Sequence, residues 1–551
     1  MWFATIRSSS CSAFPRLTVT PGALSSHVRS TALALAIFAV VSPAHAQQED
    51  WQKEHQQIDD LNSAGRYSEA LPVAQRNLEF AETSFGPNHL NTATSLMDLG
   101  EVDYFQGKYS QSDALFHRCL DIREKILGSS HPAVADVLDD IGAVYRQQGR
   151  FREAAPLLRR SVQIVQNAPG ATLRSQSAAM NGLAYLDALQ GNFTESETLF
   201  RDVLARRQKL LGPDDVKTAG SLHNLAVLFR LQGKYPEALR MQEHAVEICE
   251  KSLGPNHPSL AIALREEAET FRAEAKYAEA EPLYKRALAI QQSVLGSDHL
   301  EVAETLTKLA QLKQQTADYA EATELYQTAL SIRQNSIGSD NAFVANILCH
   351  LGSIYLVQEK YAEAEPLFQQ AITTDKVVLG ASHSEVAAML GNLATIEDRL
   401  GKLPQALQFT AEALAIEEKA LGPDHPGVGI LLANLAQLHI EQREYSIAEP
   451  LLQRYLEIEL KAHGANHPDY GRALEHMALL YFDLQKLDQA DLVSAQAVTI
   501  LQAKLPPHHP DLAGALQLRA TILRSLNREQ EADALDVEAE RILKLYAERN
   551  P

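Results

Sequence analysis

Residues 253–288 read LGPNHPSLAIALREEAETFRAEAKYAEAEPLYKRAL, and the marks that open and close this stretch return along the chain. Gly254 follows the last periodic residues of one helical segment, where a left-handed αL C-cap favours glycine, and Pro258 opens the next segment, where its missing N–H costs nothing. Further on, Ala280, Leu283, Tyr284 and Ala287 hold the i, i+3, i+4, i+7 spacing of one buried helical face. In the unit before, Leu222, Leu225, Ala226 and Phe229 hold the same spacing, and Gln232-Gly233-Lys234 breaks the pattern before the next helix. Each unit is therefore predicted to be a pair of amphipathic helices, A and B, joined by a short turn. Such a hairpin cannot bury its apolar face alone and must stack on its neighbours.

Working outward, Gly254 has counterparts at Gly86, Gly128, Gly170, Gly212, Gly296, Gly338, Gly380, Gly422 and Gly464, a constant 42-residue step, with Pro506 in the eleventh place. A second column accepts only Ala or Ser: Ala70, Ser112, Ala154, Ser196, Ala238, Ala280, Ala322, Ala364, Ala406, Ala448, Ala490 and Ala532. Twelve small residues in register mark a close helix crossing where a larger side chain would hold the backbones apart. Three residues earlier stands an aromatic residue in nine units, with Leu403, Leu487 and Glu529 in the others. The fold class is all-α, a solenoid of about twelve helix-turn-helix repeats. The prolines at 72, 156, 282, 366 and 450 are expected in the first turn of helix B, where N–H groups lack intrahelical partners.

Tyr277–Leu288 and Leu253–Pro258 resemble the helix B and inter-repeat loop of the tetratricopeptide repeat, and more closely its 42-residue variety in kinesin light chain. The resemblance covers about residues 47–551 and implies a right-handed superhelix whose helix A faces line a concave, peptide-binding groove. It also implies a ligand-contacting role for Asn224, Asn392 and Asn434, which match the family's Asn-Leu-Gly/Ala position. Elsewhere that column holds Asp98, Asp140, Gly182, Glu266, Lys308, His350, His476 and Leu518, so the clamp is not uniform. Arg146, Arg230 and Arg272 share a helix A column six residues further on, with Arg265 and His223 nearby on the same projected face. These five residues are candidates to hold an acidic side chain or a C-terminal carboxylate through charge-assisted hydrogen bonds. The competing reading is a solvated face with partners such as Glu266 or Glu269.

No metal or cofactor is expected. The histidines His89, His131, His257, His299, His383, His425, His467 and His509 recur one repeat apart, too far for neighbours to share an ion, and read as junction residues. The chain contains no nucleophile elbow, zincin helix, phosphate-binding loop or EF-hand loop, and the period runs to Ala532, so no enzymatic activity is expected. The cysteines Cys119, Cys249 and Cys349 lie two or more repeats apart and read as small buried residues.

A net charge of −20 with 45% hydrophobic residues describes a folded, soluble protein and argues against a nucleic-acid or anionic-membrane surface. Residues 1–46 differ from the rest: no acid, three arginines, an apolar run from Thr31 to Val41, then Ala44-His45-Ala46. This pattern predicts a signal peptide cut before Gln47, giving a periplasmic or secreted protein without a membrane span, with organellar targeting as the alternative. The expected organisation is a cleaved segment 1–46, a repeat array 47–529, and a last helix and cap 530–551. The expected function is a non-catalytic scaffold whose partners are other proteins or peptides; the alternative is a structural, self-assembling array.

Overall fold

The computed structural model describes residues 43–505, 507 and 509–549. The expected targeting segment lies outside the described residues except for its last four, which open the first helix, Pro43–Ser63. Among the described residues the secondary structure is helical, with 24 α-helices in twelve successive A–B pairs, one π-helical turn at Lys376–Gly380, and no strand. The last helix, Glu529–Arg549, is helix B of the twelfth unit. No helix among the described residues is long and apolar enough to cross a membrane.

The repeat columns have physical counterparts. Every member of the Ala/Ser column is fully buried, and four residues on, helix B carries a large buried residue in most units, among them Phe116, Leu158, Phe200, Tyr284, Tyr326, Phe368 and Leu452. In the sixth unit, helix A (Pro258–Ala273) and helix B (Tyr277–Leu295) meet through Ala268, Ala280 and Tyr284, which continue into Leu309 and Leu312 of the next unit. Where helix A carries glycine instead of alanine at this contact, the filler takes up the room: a Cβ on Gly142 would lie 2.4 Å from Leu158. Cys119, Cys249 and Cys349 are buried.

Two local expectations are corrected. Gly254 has φ 87° and ψ 169°, so the backbone leaves helix B through an extended, mirror-image conformation, whereas the αL cap expected from sequence has a ψ near +47°. The extended ψ sends the chain away from the helix end and across to the next helix A. Pro282 is the sixth residue of its helix and lies inside it, as do Pro72, Pro156, Pro366 and Pro450 in theirs. The residue four positions earlier is exposed in all five cases (Ser68, Arg152, Ala278, Ala362 and Ser446), so the carbonyl deprived of its N–H partner can turn to water.

The junction histidines have one shared task. Each of the eight is the N-cap of a helix A, its Nδ1 accepting the backbone N–H two residues on at 3.1–3.3 Å. In the remaining junctions a side-chain oxygen caps instead: Asp215 accepts from the N–H two residues on, and Thr172 and Asn341 from the N–H three residues on. An imidazole is an uncommon cap, and the cap requires its Nδ1 to be unprotonated.

The described residues divide into two compact bodies, residues 43–354 with 373–380, and residues 355–372 with those described between 381 and 549. Within the first, the array coils far enough for its seventh unit to touch its first: His299 Nε2 donates to the Ala64 carbonyl at 2.7 Å. Val378 and Leu379 of the π-helical turn join the core around Tyr109 and Phe116 in the second unit.

Candidate interaction site on the helix A faces

In the first body, the helix A faces of units 5 to 7 carry a closed ionic network. Its centre is Glu269, which accepts both guanidinium arms of Arg272 at 2.9 and 3.0 Å and lies 3.7 Å from Arg230 and 3.5 Å from Lys308. The Tyr284 hydroxyl donates to the same carboxylate. Burial alone would raise the Glu269 carboxyl, but Arg272, Lys308 and Arg230 outweigh it and hold it well below the usual carboxylate range. Arg230 also faces Glu266 at 3.8 Å, and Arg265, almost wholly buried, is paired with Glu301 at 2.8 Å. Burial lowers His223, whose ring meets Gln242 at 3.1 Å.

The sequence-derived candidates are thus distributed as follows. Arg230, Arg265, Arg272 and His223 are brought together, but the three arginines already face Glu266, Glu269 and Glu301. Arg146 stands apart, its guanidinium 5.8 Å from the centre of the Tyr185 ring. Asn224 is buried and accepts the Tyr185 hydroxyl at 3.1 Å. Asn392 and Asn434 lie in the second body on successive A helices and are also buried.

Units 1 to 3 present the opposite balance. Asp98, Glu101, Asp136, Asp139 and Asp140, from Leu90–Phe105 and Pro132–Gln147, gather with Asp59 from the first helix. His55 donates to Asp98 at 2.7 Å and is raised above its ordinary value chiefly by that bond. Burial raises Glu101, with the Asp98 and Asp59 charges adding to it. Burial also raises Asp140 well above its ordinary value, with Glu101, Asp139 and Asp136 adding to it. Burial pushes Asp139 up to about 7 against only Arg146. One Asp139 oxygen is buried with no hydrogen-bond partner among the described residues. A Cβ on Gly182 would stand 2.1 Å from it, which gives a steric reason for glycine in the asparagine column there. In sequence, Asp98 and Asp140 stand out only as departures from asparagine; the signal for the group is the adjacent pair Asp139-Asp140 with Glu101 one helical turn from Asp98.

Asp139 makes a testable contribution to stability. Its folded value of about 7 exceeds the ordinary 3.8, so its stabilising effect is full below 3.8 and is lost as pH rises through about 7. At pH 8 the fold must hold a crowded carboxylate. Asp139→Asn is expected to gain on the order of 1 kcal/mol over the parent at pH 8, after allowance for solvent screening, and nothing at pH 4. Paired urea unfolding curves at the two pH values check this; an equal change at both would mean that packing, not charge, is responsible.

The model of the tetratricopeptide repeat matches residues 54–114, 99–167, 175–251, 218–293, 260–335, 343–416 and 385–461. The chain belongs to the tetratricopeptide repeat family. Proteins of this family generally mediate protein–protein interaction and are typically non-catalytic scaffolds. Comparison with curated protein sequences gives no significant match. Among solved structures, the apo form of RapI is similar over 67% of this chain and 98% of its own, with 15% identity and a TM-score of 0.51, a likeness of fold alone. BtubC (BKLC) from P. vanneervenii aligns with 42% of this chain and 90% of its own, at 19% identity and a TM-score of 0.33. The nearly identical TPR-like repeats assigned to a kinesin light chain of Podosopora anserina align with 38% of this chain and 98% of their own, at 25% identity and a TM-score of 0.33.

Proposed function

We propose that this tetratricopeptide repeat protein is a non-catalytic scaffold that holds polypeptide segments along its helix A faces, and that units 1 to 3 receive a segment carrying cationic side chains. The supporting observation is the carboxylate group around Asp98, Glu101, Asp139 and Asp140, whose members are raised by burial and by one another. A Lys or Arg side chain entering there would stabilise the ionised forms and displace protons. In units 5 to 7 the arginines already face carboxylates, so an acidic ligand would have to compete with Glu266 and Glu269.

The test is a titration of the chain with two short extended peptides, one lysine-rich and one glutamate-rich. The lysine-rich peptide is expected to bind, about tenfold more tightly at pH 8 than at pH 6, because a ligand that requires ionised carboxylates gains affinity as pH rises through about 7. Glu101→Gln with Asp140→Asn should weaken it at least tenfold. Binding of the glutamate-rich peptide alone, lost in Arg230→Glu with Arg272→Glu, would instead assign the groove to acidic segments. We further propose that the protein is exported, on the strength of the acid-free, apolar segment before Gln47; N-terminal sequencing of the protein from its source should begin at Gln47.

A further inference from the structure

The junction between the tenth and eleventh units carries a histidine at a position where no other junction has one. Helix B of the tenth unit, Tyr445–His463, ends on histidine, whereas the same column holds leucine at 253, 295, 379, 421 and 505. His463 stacks on the cap residue His467, ring centres 4.5 Å apart and planes 22° from parallel. Asp469, two residues past the cap, brings Oδ2 to 3.3 Å from His467 Nδ1 and 3.9 Å from His463 Nδ1. One donor atom from each of the three residues lies within 4.8 Å of the other two. Behind them, the almost fully buried Glu459 accepts from His463 Nδ1 at 2.9 Å.

We infer that His463, His467 and Asp469 form a site for a borderline transition-metal dication such as Zn²⁺, with Glu459 orienting His463. Two imidazoles and a carboxylate suit zinc, nickel or copper; calcium and magnesium favour sites built wholly from oxygen. Donors at about 2.0–2.1 Å from zinc lie about 3.3–3.5 Å from one another in a tetrahedron. The Asp469–His467 separation of 3.3 Å already has that length, and His463, its Nδ1 held by Glu459, presents Nε2 as its donor and reaches the ion by side-chain rotation. The carboxylate behind His463 matches the arrangement that orients metal-bound histidines elsewhere. Side-chain exposures of 31%, 43% and 38% for His463, His467 and Asp469 leave the site open to an ion from solvent. Each neutral imidazole binds through the lone pair of its unprotonated nitrogen, and if His467 uses Nδ1 it gives up its cap bond to the Asp469 N–H. The repeat spacing that keeps the eight cap histidines apart does not bear on this site, because its second histidine comes from the same junction.

The test is calorimetric titration of Zn²⁺ into the untagged, chelator-treated full chain, repeated with His463→Leu and His55→Gln. His463→Leu installs the residue found at 421 and 505, so the fold is retained; His55→Gln addresses the other His–carboxylate group, His55, Asp59 and Asp98. The parent is expected to take up one Zn²⁺ at a Kd of about 10 µM or tighter, His463→Leu to weaken it at least tenfold, and His55→Gln to leave it unchanged. Absence of stoichiometric uptake by the parent, uptake unaltered in His463→Leu, or loss in His55→Gln would each overturn the assignment.

Discussion

Replacing Glu269 by alanine is expected to cost about 3–5 kcal/mol, because one carboxylate neutralises several buried cations. Glu269 meets Arg272 in two hydrogen bonds, faces Arg230 and Lys308 within 4 Å, and accepts from Tyr284, which is fully buried. Without it, Arg272 loses both bonds, Tyr284 loses its acceptor, and three positive charges crowd a region of low dielectric with Glu266 nearby. Removing one partner of a buried pair leaves the others uncompensated, which costs more than the intact pair contributes. Glu269→Gln keeps an acceptor for Tyr284 and loses only the charge, so it should fall between parent and alanine. Repeat arrays need not unfold as one unit, so the measurement is hydrogen exchange in units 5 to 7 alongside urea denaturation. Protection should fall there first; a loss below about 1 kcal/mol would mean that water reaches the network and screens it.

Ala322→Leu is expected to destabilise its region by about 3 kcal/mol, at the upper end for added bulk in a close-packed interior. Ala322 is fully buried, as are the other eleven members of its column, and its neighbour Tyr326 fills the adjacent space. The added carbons can enter only by moving helix B off helix A, and that displacement would pass to the units stacked on either side. Ala322→Ser is the matched control, because Ser112 and Ser196 occupy the column naturally. Ser112 donates to the Gly100 carbonyl at 2.8 Å, whereas the Ser196 hydroxyl has no partner among the described residues, so the serine variant should cost about 1 kcal/mol or less. Thermal melts of the two variants separate the cost of volume from that of polarity; equal losses would refute the crossing as the cause.

The family and the helix pairs were legible because a solenoid writes its packing into sequence at a fixed interval. Contacts such as Ala268 with Tyr284 join residues close in sequence, and the same constraint repeats with each unit. The exit from Gly254 was legible as a need for glycine but not as an extended ψ, since both conformations exclude a Cβ with comparable force. The depth of the prolines within helix B was not legible, because sequence does not reveal that the freed carbonyls face water.

The charged groups follow different logic. By itself, the sequence determined the all-helical repeat, its register, the small-residue crossings and the junction positions of the histidines, all of which rest on short-range spacing. Only the tertiary structure decided that Arg230, Arg265 and Arg272 meet Glu266, Glu269 and Glu301, that Asp98, Glu101, Asp139 and Asp140 crowd so that burial and neighbouring carboxylates raise them, and that His463 lies beside His467 and Asp469. The physical reason is that the sign and protonation of a charged side chain depend on distances of 3 to 4 Å across neighbouring elements, and the repeat spacing fixes where backbones cross but not which side chains meet there.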